Sequence, residues 1–156
     1  MSDLILDGLE GVGGREVAPL LARGVARLFD AMAHASLAEF SLRSGRRADL
    51  LALDGDGKFT IVEIKSSLAD FRADSKWPDY LEFCDRFYFA VPQGFPIDVL
   101  PETEGLMIAD RWDAAIVRPS AERAMHGSRR KALTLRFARQ AALRLQRLAD
   151  PTPGAG

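Results

Sequence analysis

Three residues offer chemistry in a defined pattern: Asp49, Glu63 and Lys65. Glu63 and Lys65 lie two apart in Phe59 to Ser66, a run whose apolar and β-branched content predicts a strand. Strand side chains alternate, so Glu63 and Lys65 share a face with Phe59 and Ile61, while Val62 and Ile64 point the other way. Asp49 opens a second apolar run, Asp49 to Leu53, which reads as the neighbouring strand. Asp54-Gly55-Asp56-Gly57 between them is a hairpin-turn signal. A three-residue loop at Gly55–Gly57 pairs Asp54 with Lys58 and puts Asp49 across from Glu63. A two- or four-residue loop shifts the pairing by one. In each case the carboxylates come close, and directly opposite partners have Cβ atoms roughly 5 Å apart.

Two acids facing each other in an apolar sheet repel, and burying a charge without a partner is costly. A hard divalent cation resolves the conflict, because Mg²⁺ takes one or two protein carboxylates together with waters and phosphate oxygens. An ammonium at Lys65 points into the same space, where it can hold a phosphate or an attacking water. The set suits hydrolysis of a phosphodiester. The competing reading is an ion network in which both acids pair with Lys65, Arg46 or Arg47. The adjacent strands, the defined turn and the apolar character of both faces favour the cation.

The elements around these residues follow from periodicity. Val17, Leu20, Leu21, Val25, Leu28, Phe29 and Met32 fall at helical spacing from Glu16 to about Ala33, with Pro19 fitting only the first turn. A short strand, about Ser36 to Leu42, precedes the turn at Ser44-Gly45. After the hairpin, Ser67-x-x-Asp70 predicts a helix N-cap, and Pro78 opens a helical segment from Asp79 to Cys84. Arg86 to Val91 is apolar on both faces and reads as a central strand. Strands over Gly105–Ala109 and Ala114–Arg118 follow. Ser128 to Leu148 is a helix with Leu133, Phe137, Ala141, Leu145 and Leu148 along one stripe. The expected class is α/β (α+β) with a mixed sheet. One domain over residues 16–149 is expected, between a flexible lead-in (1–15) and a frayed tail (150–156).

Composition narrows the function classes. The 156 residues are 47% hydrophobic and 28% charged, in keeping with a soluble globular chain. The single cysteine, Cys84, excludes an internal disulfide and points to a reducing compartment. No secretory signal and no apolar run of membrane-spanning length is visible, so a cytoplasmic location is expected. Charge is unevenly placed, with a balance of −8 over residues 1–122 and +7 over residues 123–156. A basic segment on an acidic body is either a nucleic-acid footprint or a solvated helix face. His34 and His126 are isolated, which removes a zinc site and a Ser/His/Asp set. Gly11-Val12-Gly13-Gly14 has neither P-loop nor dinucleotide form.

Arg47-Ala48-Asp49, the Asp-Gly-Asp-Gly turn and Glu63-Ile64-Lys65 resemble the PD-(D/E)xK nuclease superfamily, whose αβββαβ core has the order read above. The stretches Gly45 to Leu53, Val62 to Ser67, Asp70-Phe71, Asp74-x-Lys76-Trp77-Pro78-Asp79-Tyr80 and Phe87 to Val91 resemble, more specifically, the MmcB-like DNA repair family of bacteria. The resemblance spans roughly residues 16–148. It implies a restriction-endonuclease-like fold and a metal-dependent deoxyribonuclease acting in DNA repair. Asp49 and Glu63 would ligate Mg²⁺ or Mn²⁺ with the carbonyl of Ile64, and Lys65 would orient or activate water. Ala48 stands where many superfamily members carry a Pro, a change without chemical consequence. The superfamily often has an earlier acid, for which Glu39 is the better candidate and Glu16 the second.

In related nucleases the next helix flanks the active site. There Lys76 is a candidate for phosphate and Trp77 for stacking on a base, against a packed Trp and a solvated Lys. Tyr80 fits a packing role, with its hydroxyl toward the site. Arg129, Arg136, Arg139 and Arg147 fall on one flank of the last helix, where they either track a phosphate backbone or solubilise the helix. Arg144 lies close to the apolar stripe. Expected partners are DNA and repair proteins, with a homodimer compatible. Two rivals remain: a non-catalytic nuclease-fold module that binds DNA or a repair partner, and an enzyme whose cation handles a small phosphorylated ligand. The intact triad disfavours the first and the lack of a nucleotide loop the second.

Overall fold

The computed structural model describes residues 14–151. The chain separates into two compact units, Met1–Ala124 and Met125–Gly156, so the domain expected over 16–149 spans both. The boundary falls in residues 119–126, which carry no regular structure. Most of the expected lead-in and tail lies outside the described residues.

The first unit begins with α1 (Gly14–Ala31) and continues through β1 (Ala35–Ser41), β2 (Arg47–Leu53), β3 (Phe59–Ile64), α2 (Leu68–Ala73), β4 (Arg86–Val91), β5 (Gly105–Ala109) and β6 (Ala114–Arg118). Among the described residues six strands form one sheet in chain order, β1 to β6. The pairs β1/β2, β2/β3 and β5/β6 are antiparallel, whereas β3/β4 and β4/β5 are parallel. The fold is thus mixed α/β, with the expected αβββαβ order at its start. All six residues of β3 are buried, as befits a strand covered on both faces.

Pleating gives the sheet two different faces. Leu50, Ala52, Val62, Ile64, Tyr88, Ala90, Met107 and Ala109 point to the side covered by α1, where Val17, Leu21, Val25 and Phe29 meet them. Those four helical residues recur every three or four positions, which places them on one stripe. Gly24 lets α1 pass the β5–β6 turn. A Cβ there would lie 1.9 Å from the Asp110 carbonyl oxygen and 2.6 Å from that of Asp113. The opposite face carries Phe87 and Phe89, which meet Phe71, Trp77 and Tyr80 in an aromatic cluster.

The hairpin has the three-residue loop. Leu53 faces Phe59 and Leu50 faces Val62, and the Asp54 N–H donates to the Lys58 carbonyl at 3.0 Å. Gly57 takes a left-handed φ of 86°, which a side chain would strain.

Three local expectations are revised. α1 starts at Gly14, so Pro19 stands in its second turn rather than its first. The hydrogen bond it forfeits lies close enough to the helix start to be tolerated. The segment expected from Asp79 to Cys84 is a 3₁₀ turn, Trp77–Phe83, closed by the Asp79 N–H on the Lys76 carbonyl at 3.0 Å. A second 3₁₀ turn, Ile97–Val99, occupies the loop before β5. In the second unit, α3 (Gly127–Ala149) buries Leu133 and Phe137, but Leu145 and Leu148 are exposed, so the stripe is covered only along its first half.

Candidate functional site

β2 and β3 bring the two acids together. Continuing the observed register from Leu50↔Val62 sets Asp49 opposite Glu63. Each carboxylate accepts a main-chain N–H from the other strand. Glu63 Oε1 takes the Asp49 N–H at 3.1 Å, and Asp49 Oδ2 takes the Ile64 N–H at 2.8 Å. The carboxylates therefore stand in for carbonyl acceptors where the ladder ends, and both are fixed by the strands themselves. Ile64, whose carbonyl is the expected further ligand, is held by the same bond. Lys65 lies one residue past β3, but its N–H still pairs with the Ala90 carbonyl at 2.9 Å.

Burial sets the electrostatics. Glu63 and Lys65 are each 5% exposed, and Asp49 is half-buried. Desolvation, followed by the charge of Asp49, pushes the Glu63 carboxyl up to about 8. Desolvation also raises Asp49, against the Ile64 N–H bond and the charge of Lys65. Lys65 does not pair with either acid. Its Nζ forms an ion pair with Asp74 Oδ2 at 2.7 Å. Burial alone would raise Asp74, but the hydrogen bonds from Lys65 and from the Lys76 N–H bring its carboxyl below the ordinary value. Arg46 pairs with Asp79 at 3.0 Å. Among the described residues neither Asp49 nor Glu63 forms an ion pair, and the network considered as the alternative does not assemble around them.

Such a pair fits a hard cation. Its donors are oxygens, they are held rigidly, and they lack a counter-charge. Among the described residues no group of three or more His, Cys, Asp or Glu is placed to hold a metal, so any further ligands would be a carbonyl and water. Glu39 is exposed on β1 at the register position facing Asp49, with a left-handed φ of 49°. Glu16 is exposed in the first turn of α1, the helix that covers the other face of the sheet. The structure gathers neither into a three-acid set with the pair.

Two acids near the site escaped the sequence reading of its chemistry. Asp74 holds Lys65, as above. Asp70 accepts the Ser66 N–H at 3.0 Å, and its charge raises Asp49, just as that of Asp74 raises Glu63. The signal was the spacing Ser67-x-x-Asp70-x-x-x-Asp74 directly after the Lys65 strand. Ser67 caps α2 as predicted, taking the Asp70 N–H at 3.1 Å, and this orients the turn that carries both acids toward Lys65.

The flanking candidates have defined places. Tyr80 is buried, its hydroxyl donates to the Arg47 carbonyl at 2.9 Å, and burial followed by the charges of Glu63 and Asp49 pushes it up to about 12. It props the start of β2 beside Asp49. Trp77 is half-buried against Phe87 and Phe89, with ring centroids 5.6 and 5.2 Å away. Lys76 is exposed at the N-cap of the 3₁₀ turn. Arg129, Arg139 and Arg147 are exposed on α3 and Arg136 and Arg144 half-buried there, all in the second unit. His34 stacks on Phe29, and His126 accepts the Ser128 N–H at the start of α3.

No helix among the described residues is long and apolar enough to cross a membrane. No curated protein matches the chain. Among solved structures it is similar to a protein of unknown function from Silicibacter pomeroyi, at 46% identity and a TM-score of 0.83, over 94% of this chain and 97% of that one. A family model described as DNA repair protein MmcB-like matches residues 9–152. The chain belongs to the MmcB-like DNA repair protein family.

Proposed function

We propose that this protein is a metal-dependent deoxyribonuclease of the PD-(D/E)xK type that hydrolyses phosphodiester bonds during DNA repair. The observation that carries the reading is the Asp49–Glu63 pair, which is fixed across two strands while its neighbouring lysine pairs with Asp74. Asp49, Glu63 and the Ile64 carbonyl would hold Mg²⁺ or Mn²⁺. A bound divalent cation supplies electrophilic stabilisation of the negative charge that develops on a phosphodiester under attack. Lys65 would donate a hydrogen bond to a phosphate oxygen or to the attacking water. Asp74 positions that ammonium and keeps it from collapsing onto the two carboxylates. The family's role in DNA repair supports DNA as the substrate class.

The test is cleavage of single-stranded, duplex and branched DNA by the purified chain in Mg²⁺, Mn²⁺ or EDTA. Asp49→Ala and Lys65→Ala run alongside. Metal-dependent cleavage lost in both variants is the expected result. Cleavage surviving in both overturns the site. Salt-dependent binding with no cleavage favours a non-catalytic module.

A further inference from the structure

The β5–β6 turn, Asp110-Arg111-Trp112-Asp113, carries an indole that the core does not use. Trp112 is 61% exposed. Two guanidinium carbons, those of Arg27 on α1 and Arg111, each lie 5.9 Å from its ring centroid, at the outer reach of a cation–π contact. Both guanidiniums lie over the ring, yet most of the indole stays exposed. Arg111 Nε has no hydrogen-bond partner, and among the described residues neither arginine forms an ion pair. Arg23, one helical turn before Arg27, is exposed as well. The acids of the turn are bound to its backbone. Asp110 Oδ1 takes the N–H groups of Trp112 and Asp113 at 2.7 and 2.9 Å, and Asp113 Oδ1 takes that of Ala114 at 2.7 Å. Asp30, one turn after Arg27, is the acid of α1 nearest in sequence to the cluster.

The turn packs directly against α1. Gly24 brings α1 against the carbonyls of Asp110 and Asp113, so helix and turn form one seat. The turn also shares an end of the sheet with the carboxylate site. β3, β4 and β5 run parallel, and both Lys65 and Asp110 follow the C-terminal ends of their strands. They are two strand spacings apart, about 10 Å across the sheet.

We propose that Trp112, flanked by Arg27 and Arg111, is a stacking platform for an unpaired base of single-stranded DNA. An exposed indole offers a π-face to any base, and guanidiniums beside it meet the phosphates on either side. In a duplex the base faces are already occupied by their neighbours, so the occupant is an unpaired nucleotide. This inference rests on the reading of the protein as one that acts on DNA, and it deepens that reading to a strand type.

The test is anisotropy of a fluorescein-labelled single-stranded oligothymidine with the full chain in EDTA, where no cleavage occurs. Trp112→Ala is expected to weaken binding roughly 10-fold and Trp112→Phe less. Arg27→Ala and Arg111→Ala are expected to lower the salt dependence by about one phosphate contact each. Thermal melts equal to the unmodified chain show that these surface changes leave the fold intact. The sequence has two tryptophans, so intrinsic fluorescence provides a second readout. Quenching by the oligonucleotide should vanish in Trp112→Phe, and its persistence would assign the signal to Trp77 and overturn the proposal. Unchanged affinity in Trp112→Ala overturns it as well, as does equal loss toward duplex DNA or a protein partner that binds only through Trp112. Metal-dependent cleavage by the unmodified chain tests the nuclease site separately from these metal-free binding measurements. A failed nuclease site and a failed platform therefore give different results.

Discussion

Replacing Glu63 with glutamine isolates the electrostatic cost of the buried pair. The Glu63 carboxyl is raised from an ordinary value of 4.5 to about 8. Between those two values the folded chain holds a proton that the unfolded chain has released. Stability is therefore fully present below about pH 4.5 and falls as pH rises through 8. Each unit of displacement is worth about 1.4 kcal/mol, so the whole loss is on the order of 5 kcal/mol without a cation. For a chain of this length that lowers Tm by roughly 10 °C. Asp49 is raised too, which adds to the loss in the same direction. Glutamine keeps an oxygen to accept the Asp49 N–H but carries no charge to desolvate. Thermal melts in EDTA from pH 5 to 9 should show the unmodified chain losing stability with alkalinity and Glu63→Gln staying nearly level. Adding Mg²⁺ at pH 9 should recover stability in the unmodified chain and not in the variant. Equal pH slopes for the two proteins would refute the buried-pair account. A Mg²⁺ effect that survives in Glu63→Gln would refute the assignment of that residue as a ligand.

Further outcomes follow from other contacts. Asp74→Asn frees the Lys65 ammonium to compete for the carboxylates, so Mg²⁺ affinity measured by calorimetry should fall roughly 10-fold; unchanged affinity would remove Asp74 from the site. Phe29 is fully buried in the α1 stripe, and Phe29→Ala should cost about 3–5 kcal/mol in urea unfolding. Gly24→Ala places a methyl 1.9 Å from a main-chain oxygen and should destabilise by 2 kcal/mol or more, on the order expected for forced overpacking, with α1 displaced from the β5–β6 turn.

The parts of this molecule that were legible in the sequence are those fixed by near neighbours. The Asp54–Gly57 turn sits between two apolar runs, so the loop length and the facing of Asp49 and Glu63 follow from a few adjacent residues. The Ser67 cap is equally local. What escaped depends on contacts across the fold. Nothing in the spacing from Lys65 to Asp74 says that α2 turns its acid back onto the lysine. The leucines of α3 have one periodicity along their whole length, yet Leu133 is buried and Leu148 exposed. Glu39 has the ordinary pattern of a strand residue, but its backbone is left-handed, which no residue type there announces. Trp112 lay in a plain connecting turn until α1 brought Arg27 beside it.

The change of strand direction at β3 bears on the order in which the molecule assembles. β1, β2 and β3 pair through short hairpins, whereas β3 meets β4 only after α2 and the 3₁₀ turn have crossed over. Short-range closures cost little entropy and form early, and parallel pairing comes later. On that order Asp49 and Glu63 would meet while still hydrated and lose water as β4 pairs beside β3. The energetic penalty of the acid pair would then fall on the β3–β4 pairing step. On the proposed reading, a cation that binds the open meander would enter the fold together with the site.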